Sequence, residues 1–473
     1  MDSGDAIPLS TSFPLPFRVL FLIGLGILGW ATNLHGLHLL GIDAGAALEL
    51  HPGRTFLPTN SSSLRLSSSQ RLSYMPVYRL FAGYAAWCFA GWSFFRLATH
   101  SNTILVDTFK YIPALSSLGV LTTLICPFEL CQKRERDLFL QSAARCLFSS
   151  MDSPVYFSDV VFADVFTSFA KVLGDVWLSI WMLLPGGSLL SPPPLDGLSQ
   201  WILPMIMSLP YIIRFRQCLI EYWSPANASK RPLFNALKYA SSFPVIFLSA
   251  AQRIVVLELA EVKGELVTRE SWHGEHPLFR LWLLAAAVNS LYSFWWDLTN
   301  DWGLNLLKPR SAESRRPLVP PSLHSKAPSI SGSSDAHIVT QSYISSGHQV
   351  AGGAIYRHQS HPYGLRPVLL YPLLVYPLVM FFNLVLRMTW SIKLSSHLHS
   401  QSEGSALMLW LEVAEVFRRW MWVFIRVEWE VAKNAHHKSP IVSIRSAPEE
   451  VELMPSNRSD PMDDDYVLAS PSG

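Results

Sequence analysis

Asp164, Ser168, Lys171 and Asp175 fall within one narrow stripe when Phe162–Asp175, FADVFTSFAKVLGD, is wound as a helix at about 100° per residue, with Thr167 at its border. The surrounding residues are apolar enough for a membrane span. Asp or Lys at a bilayer centre costs roughly 2.5–3.5 kcal/mol each. Charges stacked on one face therefore predict that the face meets water, a partner charge or a substrate. That is the chemistry of a transporter rather than of an anchor. Lys171 and Asp175, one turn apart, also read as a pair that simply neutralises itself.

Four further constellations carry polar groups into apolar runs. Asn235, Lys238 and Tyr239 open one of them, and Lys238 is close enough to its end to snorkel. Asp297, Asn300 and Asp301 share a face at i, i+3, i+4 behind Trp295 and Trp296, with Gly303 as a helix stop. This group reads as a cation or proton site, or as an interfacial aromatic belt with a cap. Asn383, Arg387 and Ser391 recur every four residues, and Arg387 has apolar neighbours on both sides. Glu412, Glu415, Arg419 and Arg426 align on one face, while Arg418 points about 100° away. Pairing among these charges is the plain structural reading of the acidic members. Three arginines and a lysine together suit an oxyanion, because a guanidinium offers a planar fork of donors. The aspartates would offset the positive charge so that the ligand can leave, or accept hydrogen bonds from a protonated phosphate.

The elements that must hold these groups are apolar runs. The chain has 473 residues, 50% hydrophobic and only 15% charged, against about 25% charged in an ordinary soluble domain. Its mean hydropathy is +0.24. Runs near 17–40, 76–98, 111–127, 160–185, 200–216, 234–257, 278–300, 366–395 and 405–428 predict an all-α, polytopic transmembrane helical bundle of about nine spans, eight to ten by the margins. The run 366–395 is long, which fits either a helix kinked at Pro372 and Pro377 or a re-entrant piece. The first run exceeds a signal-peptide core and reads as a retained span. Residues 1–150 are thus N-terminal spans and loops, 151–430 the main transmembrane domain, and 431–473 an acidic, disordered tail; 310–362 reads as a disordered loop.

Lys and Arg concentrate in the alternate loops 41–75, 128–159, 214–233 and 301–365, and are absent from 186–199 and 396–404. The positive-inside rule then places the C-terminus in the cytosol. The sequons at Asn60, Asn227 and Asn457 fall on that side and are expected to stay bare. His35 and His38 read as interfacial residues. The five cysteines are scattered, with neither a disulfide framework nor zinc spacing. A net charge of +2 without a basic run gives no sign of nucleic acid.

FADVFTSFAKVLGD, LPYIIRFRQCL (209–219), NALKYASSFPVI (235–246), WWDLTNDWGL (295–304) and EVFRRWMWVFIRVEWE (415–430) resemble, in order, the signature blocks of the EXS domain over about residues 150–430. The chain has no room before them for the SPX domain of the larger phosphate exporters, and it is most similar to the fungal ER-retention-defective Golgi proteins. That resemblance implies a phosphate path lined by Asp164, Thr167, Lys238, Tyr239, Asp301, Arg387, Arg418 and Arg419, with Trp390 as a gate. Thr167 stands where the animal exporter has an amide, and Ala170 replaces a hydroxyl, so coordination on that helix is looser or shared with Ser168.

The function implied is return of inorganic phosphate, released by glycosylation, from Golgi lumen to cytosol. This would support retention of ER lumenal proteins and recycling of glycosyltransferases. The expected protein is not an enzyme and uses no cofactor or metal. Its partners are phosphate and the lipid bilayer, with Golgi glycosyltransferases, coat adaptors and a homodimer left open. Two alternatives stand beside this: a non-transporting sorting receptor or scaffold for glycosyltransferases, and a plasma-membrane phosphate exporter; an endoplasmic reticulum location also stays open.

Overall fold

The computed structural model describes the backbone of residues 9–48, 74–100, 102–129, 131–151, 153–191, 197–225, 227–263, 277–304, 365, 369–395 and 404–442. Side chains are described throughout that set except at 46, 198, 256–263, 389–395, 404–405 and 435–442. The described residues are helical, with no strand among them. A short α1 (Leu9–Ser12) leads into α2 (Leu15–Leu39). Prolines at the start of α2 supply the fixed φ that a first helical turn needs, and Gly41, at φ +74°, lies just beyond its end. Then come α3 (Ala44–Ala47), α4 (Met75–Thr99), α5 (Thr103–Thr108), α6 (Tyr111–Ile125) and α7 (Lys133–Phe148). The second half holds α8 (Phe157–Ser168), α9 (Ala170–Leu183), α10 (Ile202–Trp223), α11 (Arg231–Ala240), α12 (Ser242–Lys263) and α13 (Pro277–Trp296). A π turn (Asp297–Asp301) continues α13, and α14 (Val375–Ser395) and α15 (Gly404–Val442) follow. Residues up to Glu430 cluster as one unit and those from Val431 as another.

Several expected elements are divided or displaced. The run 160–185 is two helices, because the Phe169 N–H turns back to the Phe166 carbonyl at 3.0 Å. A single straight stripe through Asp164 and Asp175 therefore does not exist. The run 234–257 divides at Ser241, whose hydroxyl donates to the Lys238 carbonyl at 2.7 Å and also bonds Asn289 Oδ1 at 2.8 Å. Pro372 precedes α14, and Pro377 sits in its first turn where a missing N–H is harmless, so neither kinks a helix. The stretch 128–159 contains the helix α7. α15 runs on to Val442, past the expected end of its span. The segments 310–362 and 443–473 lie outside the described residues.

α10 is the hub, packed against α7, α8, α9, α11 and α12. Tyr211 and Cys218 of α10 share an apolar cluster with Ala170, Ala236, Tyr239 and Ile246. On the far side of α9, Val172 packs with Val19 and Leu22 of α2 and with Leu409 and Val413 of α15. α2 and α15 are also pinned by the Trp420 indole, which donates to Thr32 Oγ1 at 2.9 Å.

The distribution of side chains is inverted relative to a water-soluble protein. Asp164, Arg214, Asp297, Glu415 and Arg418 are buried, while Phe89, Leu97, Leu284, Phe381 and Trp410 are each more than 60% exposed. By length and mean hydropathy, one described helix, α2, is apolar enough to cross a membrane. α8 and α9, once divided, are only 12 and 14 residues long. α15 carries Glu412, Glu415, Arg418 and Arg419, which lower its average.

Candidate functional site: a buried ionic network

α8 and α10 meet over Asp164. Arg214 Nε donates to Asp164 Oδ1 at 3.0 Å, and the Tyr239 hydroxyl of α11 donates to the same oxygen. Arg214 Nη1 also reaches Gln217 Oε1 at 2.9 Å, and its guanidinium faces the Tyr239 ring, 5.3 Å from the centroid. Such a carboxylate, buried but met by a cation and a hydroxyl, escapes the penalty of an isolated charge.

Lys238, one residue before Tyr239, lies 3.3 Å from Asp301 Oδ2 and 4.7 Å from the Tyr239 ring centroid. It is buried and paired, which replaces the snorkelling reading. Asp301 Oδ1 accepts from the Trp296 indole at 3.2 Å.

Asp297 and Asp301 occupy the π turn, marked by the Trp302 N–H bonding the Asp297 carbonyl five residues back at 2.8 Å. The common face expected of an α-helix is lost, and the two carboxylates meet different helices. Asp301 serves Lys238 of α11. Asp297 Oδ2 accepts from Arg387 and from Asn383 Nδ2 (3.1 Å), both on α14. Asn300 takes no part; its amide bonds the neighbouring Thr299.

Asn383 passes the network to α15, since its Oδ1 accepts from Arg418 Nη1 at 3.3 Å. Arg418 then grips Glu415 with two parallel bonds, Nε to Oε2 at 3.0 Å and Nη2 to Oε1 at 2.6 Å. Glu415 Oε1 also accepts from Ser168 Oγ at 2.7 Å. Arg419 completes the circuit back to α8, with Nε to Ser168 Oγ at 3.0 Å and Nη2 to Thr167 Oγ1 at 3.1 Å. Its guanidinium lies 4.8 Å from the Trp422 ring centroid. Arg419 is buried, held by two hydroxyls and an indole, and has no carboxylate at salt-bridge distance among the described residues.

Eight residues expected to line a path, Asp164, Thr167, Lys238, Tyr239, Asp301, Arg387, Arg418 and Arg419, are thus brought into one connected network. Ser168 and Thr167 each accept a hydrogen bond from Arg419. The side chain of Trp390 lies outside the described residues, as does that of Ser391. The helical-wheel argument that turned Arg418 away and aligned Arg426 is corrected. Arg418 joins through Glu415 at i−3, whereas Arg426 bonds Glu430 at 3.0 Å and faces the Phe157 ring.

Arg214 is the member that sequence reasoning missed, having been assigned to a loop. α10 extends to Trp223, which makes Arg214 an interior residue, and the three-residue spacing of Tyr211, Arg214 and Gln217 was its signal. Asp297, Asn383 and Glu415 stood in recognised constellations but outside the expected site. Lys171 bonds Asp175, and its Nζ is 3.9 Å from Glu412 Oε1, so these three form a separate cluster beyond the break at Phe169.

The network holds five cations (Arg214, Lys238, Arg387, Arg418, Arg419) and four carboxylates (Asp164, Asp297, Asp301, Glu415), a surplus of one positive charge. A buried surplus of positive charge is suited to an anion.

Among known proteins, the chain is similar to Protein ERD1 homolog 1 of Schizosaccharomyces pombe, 28% identical over 89% of this chain and 92% of that one. It is likewise similar to Protein ERD1 homolog 2 of the same yeast, 24% identical over 89% of this chain and 97% of the other. SPX and EXS domain-containing protein 5 of Dictyostelium discoideum is 27% identical over 42% of this chain but only 21% of its own length. The EXS family matches residues 13–432, taking in α2 and every residue of the ionic network, and the chain belongs to that family.

Proposed function

We propose that this EXS protein is a multi-spanning membrane transporter that passes inorganic phosphate through the buried network, from the Golgi lumen to the cytosol. The observation that carries this reading is Arg419, a buried guanidinium whose described partners are hydroxyls rather than a carboxylate. Desolvating such a cation is costly unless an anion arrives. Its fork, which engages Ser168 through Nε and Thr167 through Nη2 among the described residues, suits a tetrahedral oxyanion. Neighbouring carboxylates weaken the hold enough for release.

Membrane residence is supported by the inverted surface, with large apolar side chains outward and ion pairs inward. About nine spans remain our count, since ion-paired groups depress the hydropathy of helices whose outer faces are apolar. The Golgi location, and the roles in ER-protein retention and glycosyltransferase recycling, rest on the resemblance to the fungal proteins. Catalysis needs no bond made or broken: the ligand exchanges one set of hydrogen bonds for another.

The test is phosphate efflux from liposomes containing purified protein. Wild type should release phosphate well above empty liposomes, and Arg419→Ala should lose most of that flux while remaining folded. If wild type releases no more than Arg419→Ala, the transport reading fails.

A further inference from the structure

We infer that the network selects tetrahedral oxyanions that are singly charged and still carry a proton, and turns away both dianions and proton-free monoanions. This rests on the transport reading above. Two features of the site lead to it independently.

The first is charge. Counted over the groups in direct contact among the described residues, five cations face four carboxylates, so one negative charge brings that cluster to neutrality; Glu221 of α10 lies further out, within the field of Arg214. A dianion leaves an uncompensated negative charge in a desolvated site, which is the costly state. Dihydrogen phosphate meets the requirement; hydrogen phosphate and sulfate do not.

The second is hydrogen bonding. α8 presents Asp164, α15 presents Glu415 and Arg418, α10 presents Tyr211 and Arg214, and α11 presents Lys238 and Tyr239. α14 presents Arg387, and the π turn presents Asp297 and Asp301. The cations donate to ligand oxygens. The carboxylates can only accept. Of the two hydroxyls that hold Arg419, Ser168 donates to Glu415 Oε1 and Thr167 donates to the Asp164 backbone carbonyl, so an acceptor oxygen stands behind each. An anion bound there lies within the field of both. An oxyanion with an O–H donates to one of them; an anion without one meets a bare lone pair and is repelled.

Competition for radiolabelled phosphate uptake in proteoliposomes of the full chain, at mildly acid pH, separates these terms. Arsenate is protonated and singly charged; sulfate is a dianion; perrhenate is a tetrahedral monoanion with no proton. Arsenate should compete at concentrations near that of phosphate, and sulfate and perrhenate should need about tenfold more or greater. At fixed total phosphate and equal pH on both sides, flux should fall with rising pH in step with the dihydrogen fraction.

Glu415→Gln removes a negative charge and replaces one acceptor oxygen by a donor amide, so sulfate should gain on phosphate by about tenfold. Asp301→Asn changes the charge alone, away from Arg419, and serves should Glu415→Gln fail to fold. Sulfate competing as well as arsenate overturns the charge requirement, and perrhenate doing so overturns the proton requirement. Absence of any phosphate movement in wild type instead defeats the transport reading itself.

Discussion

Lys238 and Asp301 show what a buried pair demands of single residues. The ammonium and carboxylate are 3.3 Å apart, and both are buried. Their mutual attraction roughly offsets the desolvation each has suffered. Asp301→Ala leaves the lysine without its counterion and should cost about 3–5 kcal/mol in detergent unfolding. The double variant Lys238→Met/Asp301→Leu removes both charges and should recover most of that loss, although phosphate flux stays low. Equal destabilisation by single and double variants would show that the site is held by shape rather than by charge. The residue types of this site were legible in the sequence because charge inside an apolar run has few innocent explanations. Asp164, Arg387 and Arg419 declared themselves that way. Pairing was not legible: nothing in residue spacing says that Asp164 meets Arg214, 50 positions away, since that contact depends on how α8 crosses α10.

At the scale of elements, short interruptions do the positioning. The break at Phe169 sends Thr167 and Ser168 towards Arg419, and Lys171 and Asp175 towards Glu412 on the same α15. The π turn separates Asp297 from Asp301 so that α11 and α14 each receive a carboxylate. Helical periodicity located the runs, but it assumes uninterrupted winding and so misassigned which side chains share a face. Gly303 closes the π turn at φ +61°, in the left-handed region, and a Cβ there would be driven against the Trp429 indole. Gly303→Ala should therefore destabilise by about 1–2 kcal/mol from backbone strain alone, and more once Trp429 must move. Gly83, inside α4 with nothing within 4 Å of a built Cβ, is the control; Gly83→Ala should be neutral or stabilise by roughly 0.5–1 kcal/mol. Thermal unfolding of the two variants side by side decides it, and equal melting temperatures would remove the special role of the turn.

For the whole molecule, the open quantity is how the helices are threaded through a bilayer. Among the described helices, length and mean hydropathy pick out α2 alone: α8 and α9 are too short once divided, and the charged side chains that lower the average of α15 are turned inward and paired. The distribution of Lys and Arg among loops is independent of that averaging, and from it we propose that 128–159 lies on the same side as the C-terminus, in the cytosol. Asn227, also assigned to that side, uses its amide to donate to the Tyr222 and Ser229 carbonyls, an engagement a glycan would disturb. Cys131 gives a direct probe, for it is exposed and lies in the turn before α7. Cys146 and Cys218 are buried. Burial, aided by the Asp159 carboxylate, pushes the Cys146 thiol up to about 12, so it has little thiolate near neutrality. In sealed Golgi vesicles with their cytosolic face outward, a membrane-impermeant maleimide should label the wild type without detergent, and Cys131→Ser should reduce labelling to the background of Cys88 and Cys126. Labelling of Cys131 only after detergent would invert the proposed orientation, and with it the proposed direction of transport.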